Sequence, residues 1–327
     1  MMTRRSALAG LASLSAAPAW AQQRAFPNKP LTMIVPFPPG GPADIFGRYL
    51  AEGMAERLGK PVVIENRDDA SAALTLVAKA GLDAHVMGVI SASSGAIVPS
   101  ILATTPADPI IPYDPTRDLA PIILIAKVQE VLVVNAKLGI SDLKTLVARL
   151  KATPGKLSYA STGAESITHL AMELFERETG TKALHVPYPG GAPATADLIA
   201  DHVQMAILDL PAVLPHVRSG VLKALAVTSD SRAVLLPDVP TMRELGYSRV
   251  NSDNWYGLVA ARGSIRANRD HLHDAAEEAL RSPTLIAAYA AVGGIAGGGT
   301  AEEFARFQRR ETEKWTQLIR IANIRFD

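Results

Sequence analysis

The chain contains no cysteine, which excludes disulfide staples, thiol nucleophiles and cysteine-ligated metal together. Its stability has to come from core packing. An excess of one charge is also missing: 33 lysines and arginines stand against 32 acidic residues, so nothing suggests a nucleic-acid or general membrane-surface partner. No His, Asp and Glu group has metal-ligand spacing. His271 and His273, two apart on an expected helix, do not share a face. Neither a G-x-S-x-G elbow nor a Walker pattern is present, and no cofactor is expected. Beyond the first residues, no run is long and uncharged enough to span a bilayer.

What is present is 327 residues, 48% hydrophobic and 20% charged, a composition for a well-packed globular protein of two domains. The beginning reads as an address. Arg4-Arg5, an apolar run from Ser6 to Ala17 and then Pro18-Ala19-Trp20-Ala21 make a signal peptide with an A-x-A site. Cleavage after Ala21 removes Arg4 and Arg5 and leaves 31 basic against 32 acidic residues. Thr3-Arg4-Arg5 keeps the twin-arginine route open beside the general secretory one.

Short apolar runs alternate with helical patterns along the chain, which means βαβ units, parallel-rich sheets and an α/β fold. The runs are Leu31–Val35, Val62–Glu65, Val86–Ile90, Ile122–Ile125, Val131–Asn135, Leu157–Ala160, Ala183–Val186, Met205–Leu208, Ala224–Thr228 and Tyr256–Ala260. Helices are expected over Ile45–Leu58, Leu143–Ala152, Ser166–Thr179, Ala192–Ala200, Asp270–Arg281 and Ala301–Ala322. The proline-rich stretch from Thr104 to Pro121 reads as an extended connection. Gly293–Gly299, with five glycines, reads as a loop.

Pro36-Phe37-Pro38-Pro39-Gly40-Gly41-Pro42-Ala43-Asp44 joins the first strand to the first helix. Its glycines let the backbone turn tightly and approach a guest, and Pro42 suits the first helical position. The free amides of such a helix start carry roughly +0.5 of a charge and suit a carboxylate or phosphate; a plain strand-to-helix turn is the alternative. The same logic recurs at Tyr159 to Ser166 and at Val186 to Pro193. Several small, uncharged loops at carboxyl ends of strands point to one ligand.

These segments resemble the substrate-binding proteins of tripartite tricarboxylate transporters, the Bug or TctC-like group. The resemblance is carried by Phe26-Pro27-Asn28-Lys29-Pro30, Val35 to Asp44, Glu65-Asn66-Arg67, Tyr113-Asp114-Pro115, Pro154-Gly155-Lys156-Leu157, Tyr159-Ala160-Ser161 and His169-Leu170-Ala171. It continues through His185-Val186-Pro187-Tyr188, Ala224 to Thr228, Leu236 to Thr241 and Trp255-Tyr256-Gly257. It implies a type II-like periplasmic binding-protein fold, with two α/β domains closing on a ligand cleft. Residues 22–125 with 228–327 would form domain 1 and 126–227 domain 2. It further implies a monomer that captures a small organic acid (a mono-, di- or aromatic carboxylate) for a transporter's membrane subunits and breaks no bond. The family's grip, through main-chain amides and ordered waters, carries over to Phe37, Pro39, Gly40, Gly41, Ala43 and Asp44 on one loop. On the facing loop it carries over to Ser161, Thr162, Gly163 and Ser166. Ser91 and Asp209 join them from two further strand ends.

One departure bears on the ligand. Where the family has Pro-Gly-Ala-Gly-Gly after Glu65-Asn66-Arg67, this chain has Asp68-Asp69-Ala70-Ser71-Ala72. The two carboxylates either cap a helix or alter the ligand's charge. A ligand sensor remains an alternative. So does an exported α/β enzyme, against which stands the lack of a nucleophile–base arrangement near the loops.

Overall fold

The structure is a computed structural model and describes residues 26–104 and 113–322. The expected signal peptide and its cleavage after Ala21 lie outside the described residues, as does the middle of the Thr104–Pro121 stretch.

The described residues form ten strands: β1 Leu31–Val35, β2 Val62–Asn66, β3 Val86–Ser91, β4 Leu119–Asn135, β5 Ser158–Ser161, β6 Leu184–Pro187, β7 Met205–Asp209, β8 Leu222–Val227, β9 Asp253–Ala261 and β10 Gly294–Gly298. The helices are α1 Pro42–Leu58, α2 Ala70–Ala78, α3 Val98–Thr104, α4 Pro115–Asp118, α5 Leu143–Ala152, α6 Ile167–Thr179, α7 Gly191–Ile199, α8 Leu210–Arg218, α9 Arg266–Leu280, α10 Pro283–Val292 and α11 Ala301–Ala322. Thus the Thr104–Pro121 stretch is not wholly extended. Asp114 caps the short α4 by accepting from the amides of Thr116 and Arg117.

Strands β2, β1 and β3 run parallel, and β3 pairs antiparallel with β9, which pairs with the first part of β4. A second set, β6, β5 and β7, also runs parallel, and β7 pairs antiparallel with the last part of β4. The two apolar runs Ile122–Ile125 and Val131–Asn135 are therefore one strand shared by two sheets. The residues between them, Ala126 to Glu130, keep extended pairing with β9 and β7.

Each sheet is covered on both faces, which is why its strands read as continuous apolar runs. Phe46, Leu50 and Met54 of α1 pack with Leu272 and Ala276 of α9 on one face of the first sheet. On its other face Leu74, Trp255, Phe304 and Trp315 form a cluster that also takes Leu170 and Leu174 of α6. The second sheet is sandwiched between α5 and α6 on one side and α7 and α8 on the other.

Gly293–Gly299 is not a loop. Gly294–Gly298 forms β10, antiparallel to β4, because the glycines let it lie closer than side chains would permit. A Cβ at Gly297 would stand 2.1 Å from the Leu124 carbonyl oxygen, and one at Gly294 would stand 2.3 Å from the Phe46 ring.

Candidate functional site

The loops after β1, β3, β5, β6 and β7 converge on one cleft. The first is braced from behind. Gly40 adopts a φ of 82°, which favours glycine, and its N–H donates to Asp44 Oδ2 at 2.9 Å. The same carboxylate accepts from Arg48 Nε and Asn66 Nδ2, each at 2.9 Å, and Asn66 also donates to the Phe37 carbonyl. Burial alone would raise the Asp44 pKa, but the bonds from Arg48, Gly40 and Asn66 hold it below the usual range. Asp44 thus fixes the loop, while the N-cap of α1, Gly41, offers no side chain to the helix's first amides.

Gly41 and Ala43 line a slot of about 20 Å³, room for a water-sized group. Two more helix starts meet there. Gly191 begins α7, whose N-cap Gly190 has no capping side chain, and Ala212 lies in the first turn of α8. Asp209, the N-cap of α8, makes no side-chain cap; its carboxylate accepts from Asn254 Nδ2 at 3.0 and 3.1 Å and from the Tyr256 hydroxyl. Three uncapped helix N-termini therefore face one small space, a field that favours an anion.

Burial pushes the Asp209 carboxyl up to about 6 against the bonds from Tyr256 and Asn254. Glu130 stands opposite Asp209 in the β4–β7 register. It is fully buried, and burial followed by repulsion from Asp209 raises it well above an ordinary glutamate.

Ser91 belongs to the wall of both the slot and the wider cavity outside it. It is 1% exposed, yet its Oγ has no hydrogen-bond partner. A buried hydroxyl without a protein partner is open to a bond from a water or a guest. The outer cavity, about 200 Å³, is bounded by Phe37, Ala70, Val98, Tyr113 and the loop Thr162 to Ser166. That loop is internally tied: Ser166 Oγ accepts from the His169 amide, and Thr162 N–H donates to Thr168 Oγ1 at 2.8 Å. Across the cleft, Ile167 N–H donates to Ser93 Oγ at 3.1 Å, so the facing loops touch.

Of the twelve residues expected at the site, Phe37, Gly41, Ala43, Ser91, Thr162, Gly163, Ser166 and Asp209 line the slot or the outer cavity. Pro39, Gly40, Asp44 and Ser161 do not. Sequence reasoning missed Asn254 and Tyr256, which floor the slot from β9, and Ser93, which bridges it. Asn254 and Tyr256 flank a buried tryptophan at the start of a central strand, and a polar residue there was the one available signal. Asp69 caps α2 by accepting from the Ala72 amide at 2.9 Å.

The structure does bring a serine and a histidine together: Ser161 Oγ lies 2.6 Å from His185 Nε2. The pair is nevertheless unsuited to nucleophilic attack. Ser161 is fully buried and its hydroxyl donates to the Gly163 carbonyl at 2.9 Å, so His185 is the donor to it. The His185 ring stacks between Tyr159 and His169, and burial, then His169, lower its pKa to about 4.

Among the described residues no group of His, Cys, Asp and Glu could hold a metal, and no helix is long and apolar enough to cross a membrane.

The profile of the tripartite tricarboxylate transporter family receptor, TctC, matches residues 46–324. Protein BugT of Bordetella pertussis (strain Tohama I) is 36% identical over 297 residues, covering 90% of each chain. A Rhodopseudomonas palustris protein solved with adipate superposes with a TM-score of 0.86 at 29% identity, covering 91% of this chain and 99% of its own. MatC of the same organism, solved with bound malate, gives 0.84 at 26% identity, covering 90% and 100%.

Proposed function

Because this chain belongs to the tripartite tricarboxylate transporter family of receptors, a family of periplasmic solute-binding proteins and not of enzymes, we propose that it captures a small organic carboxylate and delivers it to the membrane subunits of such a transporter. The observation that carries the reading is the convergence of three uncapped helix N-termini on a slot where Ser91 Oγ waits unpaired. None of the described lining residues of the slot or outer cavity is lysine, arginine or histidine. The acid is held by amides and hydroxyls, a grip that permits release. Relatives solved with adipate and malate support a carboxylate as the guest.

On this reading residues 22–125 and 228–327 form one jaw and 126–227 the other, and export ends with cleavage after Ala21. The twelve candidate residues act from the walls or, for Asp44 and its neighbours, from behind them. The protein works as a monomer without a cofactor.

The test is a carboxylate panel followed by melting temperature and intrinsic fluorescence. Trp255 is 1% exposed and adjoins Asn254 in the slot, so occupancy should shift its emission. Saturation at about 100 times Kd adds roughly 2.7 kcal/mol to stability. A panel of mono-, di- and aromatic acids that moves neither signal would defeat the proposal.

A further inference from the structure

The two ends of the cleft are of opposite character. At the inner slot, α1, α7 and α8 present first turns that no side chain caps. At the outer cavity α2 also turns its start inward, with Ala70 and Ser71 in the wall. There, however, the helix has its own anion: Asp69 Oδ1 accepts from the Ala72 amide at 2.9 Å, and Asp68 precedes it. Glu165, on the facing loop, lines the same cavity. Its charge reaches the wall opposite, since after burial it is what raises the Tyr113 phenol.

We propose that this receptor selects acids with a single anionic group, seated in the slot, whose far end is uncharged or cationic and lies in the outer cavity. The inference rests on the carboxylate-receptor reading above and narrows it. A second carboxylate in the outer cavity would come up against the carboxylate of Glu165 in its wall. At α2 it would compete with Asp69 for the helix start. Like charges brought together in a half-dry cleft cost far more than in water, and such repulsion discriminates between guests as strongly as attraction does. The wall suits a neutral body: Phe37, Val98 and Tyr113 offer apolar surface, and Ser71 Oγ is buried without a partner, ready to bond a hydroxyl or a ring nitrogen.

The experiment uses calorimetry on the purified full-length mature protein with matched probes that differ only in the second carboxylate: hexanoate against adipate, benzoate against terephthalate, and shorter and longer pairs alike. The monoacid of a pair should bind at least about tenfold more tightly than its diacid. Diacids that bind as well as or better than their partners overturn the inference while leaving the carboxylate reading intact; binding by neither series removes both. A variant carrying Asp69→Asn and Glu165→Gln keeps a competent helix cap, since asparagine serves there as well as aspartate. Its affinity for each diacid should rise about tenfold relative to that for the matched monoacid. An unchanged ratio in that variant also overturns the proposal.

Discussion

A buried hydroxyl without a partner costs stability in the free protein and repays it only when a ligand arrives. Ser91 Oγ is in that position. Ser91→Ala should therefore leave the melting temperature of the free protein unchanged or slightly raised, while ligand affinity falls roughly 3- to 10-fold; calorimetry and a thermal melt on the same sample check both. Asp209 carries a second prediction. Its folded pKa of about 6 lies above the ordinary carboxylate value, so its contribution to stability is present at acid pH and is lost as pH rises through about 6. Asp209→Asn should flatten the fall in melting temperature between about pH 4 and 6. An anion in the slot would further favour the protonated carboxyl, so binding near neutrality should take up a proton. Calorimetry in two buffers of different ionisation heat measures it, and zero uptake would sink this account of Asp209.

At the scale of elements, the glycines of β10 carry a burden invisible in their composition. Gly297→Ala would force a methyl against the Leu124 carbonyl at 2.1 Å, and the strand must lift from β4 to accept it. We expect a loss of about 3 kcal/mol or more, read as a lower melting temperature, with ligand affinity reduced only as far as the fold is lost. The same strand shows why the chain was partly misleading: glycine clusters signal turns through local freedom, whereas here they serve a close approach between segments far apart in sequence. Alternation of apolar runs with helical stripes was enough to foretell α/β architecture, and Pro42 with Ser166 marked two helix starts at or within a residue. The cleft-lining role of Phe37, Gly41 and Thr162 could be read from their loops. Asn254 and Tyr256 could not, because they reach the slot from a strand whose pairing with β3 is a long-range fact. The bracing role of Asp44 was equally hidden, since it depends on Arg48 and Asn66 both turning inward.

At the scale of the whole molecule, the two passages of chain between the sheets, one within β4 and one between β8 and β9, are tied to one another. Thr228 donates from its amide and its hydroxyl to the Glu130 carbonyl, at 3.0 and 3.1 Å, and the hydroxyl also reaches the Ser252 carbonyl at 2.6 Å. Ser252 in turn donates to Glu130 Oε2. With the crossings bound together, the two sheets should rock as bodies rather than shear. Ligand should then shrink the radius of gyration in solution scattering without altering secondary structure. Ser93→Ala, which removes the contact with Ile167 across the cleft, should speed ligand release.

The placement of β9 also governs when this protein acquires its shape. Ala92 N–H donates to Asn254 Oδ1 across 162 positions of chain, and β3 stays without its antiparallel neighbour until residues 253–261 have been made. A nascent chain lacking them holds three parallel strands with an open edge, so assembly of the first sheet waits for the last quarter of synthesis, and long-range pairing is slow in any case. A polypeptide that postpones its tertiary structure in this way stays threadable while it is being moved, and a truncation ending at residue 250 should give a protease-sensitive product in which β1 to β3 exchange their amide hydrogens freely.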